Sequence, residues 1–169
     1  MRGLGALMII AGCVTIGGIT LHERRVRVET LYALCAALRT MRAELITRLA
    51  PLPEVFHALA ENGAGAAGEF FAALYTDMDA LGKCGLAAIW QGACLCTLGS
   101  LRGDEMAAMS ALGAQLSLGS AEAAAEAVKA CEGVLHAAYL REKERLPQAR
   151  RLCIGVPAAA GAMLVILLI

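Results

Sequence analysis

The hydrophobic pattern divides the chain into two uncharged ends and a longer mixed centre. Residues 3–21 (GLGALMIIAGCVTIGGITL) and 152–169 (LCIGVPAAAGAMLVILLI) contain no charged side chain. A helix of about 20 apolar residues is long enough to cross a bilayer core. The pattern therefore predicts a transmembrane helix at each end. The alternatives are a secretory signal for the first run and a buried core helix for the second.

Two long helices are predicted beside these ends, over 22–50 and 121–146, because apolar residues recur there at steps of three and four. The first stripe consists of Val28, Leu31, Leu34, Cys35, Leu38, Met41, Leu45 and Leu49, and the second of Ala124, Val128, Cys131, Leu135 and Ala138. We expect the first helix to continue directly from the first predicted span. Pro147 predicts a kink or break before the second span.

Four shorter helices are predicted in the middle of the chain, over 53–61, 66–81, 86–98 and 105–116, between segments containing glycine or proline. Asp104 and Ser120 are expected to cap the helices that follow them, because their side chains can accept hydrogen bonds from free backbone N–H groups. The apolar stripes are expected to include Tyr75 in the helix over 66–81 and Leu95 in the helix over 86–98.

The predicted fold class is all-α, because strand signals are nearly absent. We expect an antiparallel helical bundle of about six helices, residues 22–151, between N-terminal (3–21) and C-terminal (152–169) transmembrane helices. The two long helices adjoin spans on the same side of the membrane. They are therefore expected to run antiparallel and to pack through their apolar stripes.

Basic residues near the predicted spans indicate the orientation. Eight Lys and Arg residues lie on the inner flanks of the two spans, and only Arg2 lies outside them. The positive-inside rule then places residues 22–151 in the cytoplasm of a membrane-bound protein. Six arginines are expected to face the anionic lipid surface: Arg24, Arg25, Arg27, Arg145, Arg150 and Arg151.

The centre of the chain is acidic, although the formal net charge of the whole is zero. Between Pro51 and Leu140 there are ten acidic residues and three basic ones, which leaves a net charge of −7. Nucleic-acid binding needs a basic patch, so this balance argues against it. Most of these acids are expected to be solvated surface. The candidates for contact with a protein partner, chosen on charge alone, are Glu61, Glu69, Asp77, Asp79, Asp104 and Glu105.

No catalytic, cofactor-binding or metal-binding residue is predicted. The segment GAGAAG at 63–68 superficially resembles a dinucleotide-binding loop, but it follows a helix and not a strand. The three histidines are scattered, and no two of them have the spacing of a helical metal site. The seven cysteines are interpreted as small hydrophobic residues in helices. No cofactor and no small-molecule substrate are expected.

In the order and spacing of its features, the chain resembles the stage III sporulation protein AB family over nearly its whole length. The resemblance rests on the Arg-rich start after the first span, LRTMRAELITRLAPLPEVFHALA, Trp90, LGAQLSLGS and the terminal span. Ser120 departs from the family pattern, in which an acidic residue is expected. The family is identified with a sporulation channel in the mother-cell membrane around the forespore, and its helical domain is similar to the platform protein of type II secretion.

The resemblance implies a non-enzymatic platform that docks a cytoplasmic secretion-type ATPase and contacts membrane lipid and other channel proteins. Two alternatives remain open at this point. One is a platform subunit of another type II secretion or type IV pilus system. The other is a membrane-bound enzyme with a cysteine-based or metal-based site, for which the C-x-C segment at 94–96 is the nearest candidate.

Overall fold

The computed structural model describes the backbone of residues 2–47, 51–82, 84–117 and 120–168. Side chains are described over 21–47, 51–79, 84–117 and 120–146, together with residue 81. This part of the chain contains helices and no strand: α1 (Arg2–Thr47), α2 (Leu52–Asn62), α3 (Gly65–Asp77), a 3-10 helix (Met78–Gly82), α4 (Leu86–Thr97), α5 (Gly103–Leu116) and α6 (Ala121–Leu168). The all-α fold class and the number of α-helices are confirmed.

The two long helices are continuous with the predicted spans. The prediction that α1 continues from the first span is confirmed, because α1 is a single helix of 46 residues. Of the kink or break predicted at Pro147, the break is wrong, because α6 is a single helix of 48 residues that runs through that position. The kink stays a prediction. Proline removes one backbone hydrogen bond from a helix interior. The long helical segments on both sides of Pro147 outweigh that loss.

The chain contains two compact units, of which the central unit is Glu29–Tyr139. Its core includes the apolar stripe of α1 from Leu31 to Leu45 and the whole predicted stripe of α6, all of them buried. These two predictions are confirmed for the described side chains, except that Val28 is only half-buried. The shorter helices add the largest buried side chains of this core, which are Phe56, Phe70, Phe71 and Trp90.

Two predicted stripe positions are wrong. Leu95 is 67% exposed, because α4 buries the opposite face, which carries Ile89, Trp90 and Ala93. Tyr75 is 45% exposed, whereas its neighbour Leu74 is completely buried. In both cases an apolar residue lies next to a buried position, and a hydrophobic residue on a surface needs no partner to be stable there.

Within the central unit, α1 and α6 run antiparallel, as predicted. The rings of Tyr32 and Tyr139 lie 5.8 Å apart between centroids. Seven residues later on α1, the Arg39 Nε atom lies 2.6 Å from Glu132 Oε1, and Glu132 is seven residues earlier on α6. Equal steps in opposite directions define one antiparallel register.

The second unit consists of Met1–Val28 and Leu140–Ile169 and contains both predicted spans. Within the described part of the chain, no helical stretch combines the length and the apolar character that a membrane crossing requires. The side chains of the predicted spans, 3–21 and 152–169, lie almost entirely outside the described residues. The spans and the domain bounds drawn from them stay predictions.

Candidate functional site

A close contact between Trp90 and Gly113 fixes α4 against α5. Trp90 is completely buried, and its indole Nε1–H donates to the backbone carbonyl of Met109 at 2.7 Å. The carbonyl of Met109 and the α-carbon of Gly113 are one helical turn apart on α5. A Cβ added at Gly113 would overlap the Trp90 side chain, so only glycine lets the indole lie directly on the helix backbone.

The glycines of the segment 63–68 have a similar packing role between α2 and α3. A Cβ at Gly63 would lie 2.7 Å from the α-carbon of Gly68, and a Cβ at Gly68 would lie 2.5 Å from the carbonyl oxygen of Gly63. Gly65, between them, has a φ of 54°, which glycine adopts at little cost. These glycines allow the backbones of α2 and α3 to approach closely. This packing explains the spacing of the glycines, and a nucleotide-binding role is not needed to explain it.

Five of the six acidic partner candidates lie on the surface of the short helices. Glu61 lies near the end of α2, Glu69 lies in α3, and Asp77 ends α3; Asp79 follows in the 3-10 helix. Asp104 lies in the first turn of α5, and all five residues are exposed. Residues 51–82 contain no Lys or Arg. Apart from His57, all the ionisable surface side chains of Asp, Glu, His, Lys and Arg type in this segment are therefore acidic.

The sixth candidate, Glu105, serves the fold instead. It is 5% exposed, and its carboxylate accepts a hydrogen bond of 2.7 Å from the backbone N–H of Arg102. Arg102 is the N-cap residue of α5, so the predicted cap at Asp104 is wrong by two positions. We therefore assign Glu105 to the helix start and not to the partner surface. Ser120 does cap α6, because its hydroxyl accepts the N–H of Ala123 at 3.4 Å.

An exposed aromatic pair lies among these acids. The rings of His57 on α2 and Tyr75 on α3 meet edge to face, with centroids 4.7 Å apart. Glu61, one turn after His57, places a carboxylate oxygen 3.8 Å from His57 Nδ1. The sequence alone did not predict the ring contact of His57 with Tyr75, although the four-residue spacing of His57 and Glu61 indicates a possible contact along one helix.

The arginines predicted to face the membrane surface differ in their exposure to solvent. In the terminal unit, Arg27 and Arg24 lie 3.6 Å and 3.9 Å from the carboxylate oxygens of Glu142. Arg27 is 7% exposed, so we assign it to this ion pair and not to the membrane surface. Arg25 and Arg145 are exposed, as the lipid-contact prediction requires. The side chains of residues 150 and 151 lie outside the described part of the chain.

Three cysteines of the central unit lie in the core, and burial raises the pKa of each thiol. The pKa of Cys35 rises to about 11, and those of Cys94 and Cys131 rise to about 12. Such thiols stay protonated at neutral pH and are poor nucleophiles. The interpretation as small hydrophobic residues is correct for these three and wrong for Cys84 and Cys96, which are exposed. Among the described residues, no group of His, Cys, Asp and Glu has the geometry of a metal site.

Comparison with protein families yields a match that covers the helices and surfaces described above. The model of stage III sporulation protein AB matches residues 2–169. Comparisons with curated proteins and with solved structures return no match. Because the family match spans essentially the whole chain, the resemblance noted from its motifs is confirmed. The chain belongs to the stage III sporulation protein AB family.

Proposed function

We propose that the protein is a non-enzymatic membrane platform in a secretion-like channel between the mother cell and the forespore. Its short helices dock a cytoplasmic secretion-type ATPase. Its terminal helices anchor it in the mother-cell membrane around the forespore, with the central unit in the cytoplasm. Membership of the stage III sporulation protein AB family supports the sporulation role.

The observation that carries the docking proposal is the single sign of charge on α2, α3 and the 3-10 helix. Five exposed acids and no Lys or Arg occur over residues 51–82: Glu54, Glu61, Glu69, Asp77 and Asp79. A surface of this kind attracts a basic partner surface and disfavours acidic ones. It also accelerates association, and salt screens this effect. The ATPase is therefore expected to present a basic surface and to bind more weakly as salt rises.

The membrane part of the proposal rests on the sequence at both ends of the chain. The two uncharged runs have the length of bilayer spans. Arg25 and Arg145 are exposed near them and can contact anionic headgroups. Reporter fusions within residues 51–117 are expected to report a cytoplasmic position. A position outside the cytoplasm would contradict both the orientation and the ATPase partner.

Two findings favour a scaffold over an enzyme. The family is not known as enzymatic. The buried thiols of Cys35, Cys94 and Cys131 have raised pKa values, so these three core cysteines of the central unit are poor nucleophiles at neutral pH. The C-x-C alternative then depends on Cys96 alone, since Cys94 is buried. Replacement of both residues by serine is expected to leave function intact.

The docking surface is tested by charge reversal in the full-length chain. The variant Glu61→Lys/Glu69→Lys is expected to lower co-purification of the secretion-type ATPase about tenfold, since each reversal replaces attraction by repulsion. The matched control is Glu122→Lys/Glu126→Lys, which reverses two exposed acids on α6 and changes the net charge equally. This control is expected to retain binding.

The two variants separate the possible results. Unchanged binding of Glu61→Lys/Glu69→Lys would remove the electrostatic docking idea. An equal loss in both variants would indicate a response to total charge and would contradict a local surface. A gene that is expressed outside sporulation, beside a pilus or type II secretion operon, would transfer the platform role to that other system.

A further inference from the structure

The α4 helix is the uncharged helix of the central unit. Its sequence, LAAIWQGACLCT, contains no Asp, Glu, His, Lys or Arg, and the uncharged segment extends on both sides over residues 84–101. A helix at the surface normally has charged or polar residues on its outer face. Each of the other α-helices has at least one charged side chain at the surface, among them Arg39, Glu61, Glu69, Asp104 and Glu122.

The outer face of α4 is exposed and has one large apolar side chain. Leu95 is 67% exposed, which is the highest fraction among the exposed large hydrophobic residues described. Gln91 and Ala88 precede Leu95 by four and seven residues, so the three share one face of the helix. Gly92 and Cys96 are also exposed, and the neighbours of Leu95 on this face are therefore all uncharged.

The charge of the central unit indicates which surface can cover this face. Residues between Pro51 and Leu140 have a net charge of −7. Two copies of the chain therefore repel each other where their acidic helices meet, since like charges across an interface are unfavourable. The outer face of α4 avoids this cost because it has no charge. An uncharged face is also complementary to itself in charge, as a twofold contact between two copies requires.

Two other occupants fit the outer face of α4 less well. A helix that lies on an anionic membrane surface has Lys or Arg beside its apolar face, and α4 contains neither. A basic protein partner, such as the proposed ATPase, gains no charge attraction from α4. The segment 51–82 offers that partner five exposed acids instead.

We propose that the outer face of α4 is a self-association surface, where a second copy of the chain packs through the same face with Leu95 against its counterpart. The face of one short helix is smaller than a standard interface, which buries about 800 Å² per partner, so the association is weak and reversible. It is separate from the acidic docking surface and does not depend on the proposed function. Salt screens the repulsion between the acidic copies and strengthens this contact, whereas salt weakens docking of the ATPase.

The test uses the full-length chain and a short bismaleimide, with linked peptides identified by mass spectrometry. The native Cys96 is exposed beside Leu95 and reports the contact, and the native Cys84, exposed before α4 begins, is the control thiol. Each yield is normalised to labelling by a monofunctional maleimide. Wild-type protein is expected to form mainly Cys96–Cys96 links between copies, and their yield is expected to rise with salt.

Charge substitution at Leu95 identifies the occupant. Leu95→Glu alone and Leu95→Lys alone are each expected to lower the Cys96–Cys96 yield at least about tenfold, because a twofold contact sets two like charges against each other. Co-expression of the two variants is expected to restore links between unlike copies, whose peptides differ in mass, because the facing charges are then opposite. The matched controls are Ile46→Glu and Ile46→Lys, which change another exposed hydrophobic residue and are expected to retain the wild-type yield.

Three results would overturn the proposal: unchanged yields in both Leu95 variants, co-expressed variants that link no better than either alone, and equal linking at Cys84 and Cys96. All variants are expected to stay folded because Leu95 and Ile46 are exposed, and the fluorescence of the buried Trp90 monitors this. The variant Glu61→Lys/Glu69→Lys is expected to retain the Cys96–Cys96 link, so a failure of ATPase docking is distinguishable from a failure of self-association.

Discussion

Replacement of Gly113 by alanine is the sharpest test of the packing between α4 and α5. In an open helix interior, alanine is more favourable than glycine by about 0.5–1 kcal/mol. At Gly113 the added methyl group meets the Trp90 side chain, and the indole is completely buried. The structure therefore predicts that a usually stabilising substitution destabilises the protein here.

The magnitude follows from two costs and one gain. Overpacking of a core costs about 1–3 kcal/mol. Displacement of the indole breaks the 2.7 Å hydrogen bond from Trp90 to the Met109 carbonyl, and a buried donor left unsatisfied costs about 1–3 kcal/mol. The gain in helix propensity offsets at most about 1 kcal/mol of this. The expected loss of unfolding free energy is about 3 kcal/mol.

The assay is urea unfolding of the full-length chain, followed by fluorescence. Trp90 is the chain's one tryptophan and is completely buried, so its emission reports the unfolding of the central unit. Gly113→Ala is expected to shift the midpoint to lower urea at an unchanged slope. Gly92→Ala in α4 and Gly133→Ala in α6 are the controls, because a Cβ at either position meets nothing within 4 Å. Both controls are expected to shift the midpoint upward.

A second variant assigns the cost to the indole. Trp90→Phe removes the N–H donor and shrinks the ring, so Gly113→Ala is expected to be less harmful in that background, as measured by circular dichroism. If Gly113→Ala stabilised the protein as much as Gly92→Ala does, the close approach of Trp90 to α5 would be refuted. Equal costs of Gly113→Ala with tryptophan and with phenylalanine at position 90 would refute the assignment to the indole.

The remaining predictions concern the α2–α3 joint, the start of α5 and the buried thiols. Gly68→Ala is expected to destabilise the protein by about 1–3 kcal/mol in urea unfolding, because its methyl group would meet the backbone of Gly63; a neutral result would contradict this packing. Glu105→Ala is expected to cost about 1 kcal/mol, since the Arg102 N–H loses its acceptor, whereas Asp104→Ala should cost less; the reverse order would restore the cap to Asp104. The raised pKa values of the three buried thiols imply that their contribution to stability is complete below about pH 9 and declines as pH rises toward 11–12, by at most about 1.4 kcal/mol per pH unit for each thiol. Alkylation at pH 8, read by peptide mass, should therefore modify Cys84 and Cys96 and spare the buried three until the protein unfolds; labelling of Cys94 at the rate of Cys96 would contradict the buried position.

Local sequence signals were sufficient for most of the fold. Glycine and proline between the short helices placed the ends of α2, α4 and α5 within two residues, because these residues act on their immediate backbone. The stripe of α6 was predicted completely, since its burial follows from the helical period alone. Pro147 does not break α6, because its cost is local, whereas the continuity of a long helix depends on the segments around it.

Tertiary contacts explain what the sequence did not predict. The contact of Trp90 with Gly113 joins two helices, and nothing near either residue in the sequence indicates the other. Glu105 and Asp104 are adjacent acids, and only the geometry of the helix start shows that Glu105 reaches Arg102. Arg27 was grouped with the surface arginines because charge usually means exposure. The burial of Arg27 depends on its ion pair with Glu142, which lies on α6 and is far from Arg27 in the sequence.

The glycine joint between α2 and α3 has a consequence for the acidic surface. Glu61 precedes the joint and Glu69 follows it, so the two carboxylates stand on helices whose backbones touch at Gly63 and Gly68. The separation of the backbone segments that carry these two side chains is therefore determined by contact of main-chain atoms at Gly63 and Gly68, and only the rotamers of Glu61 and Glu69 vary the distance between the carboxylates. A partner that contacts both carboxylates therefore meets two helices joined at one backbone contact, and this contact requires glycine at both positions.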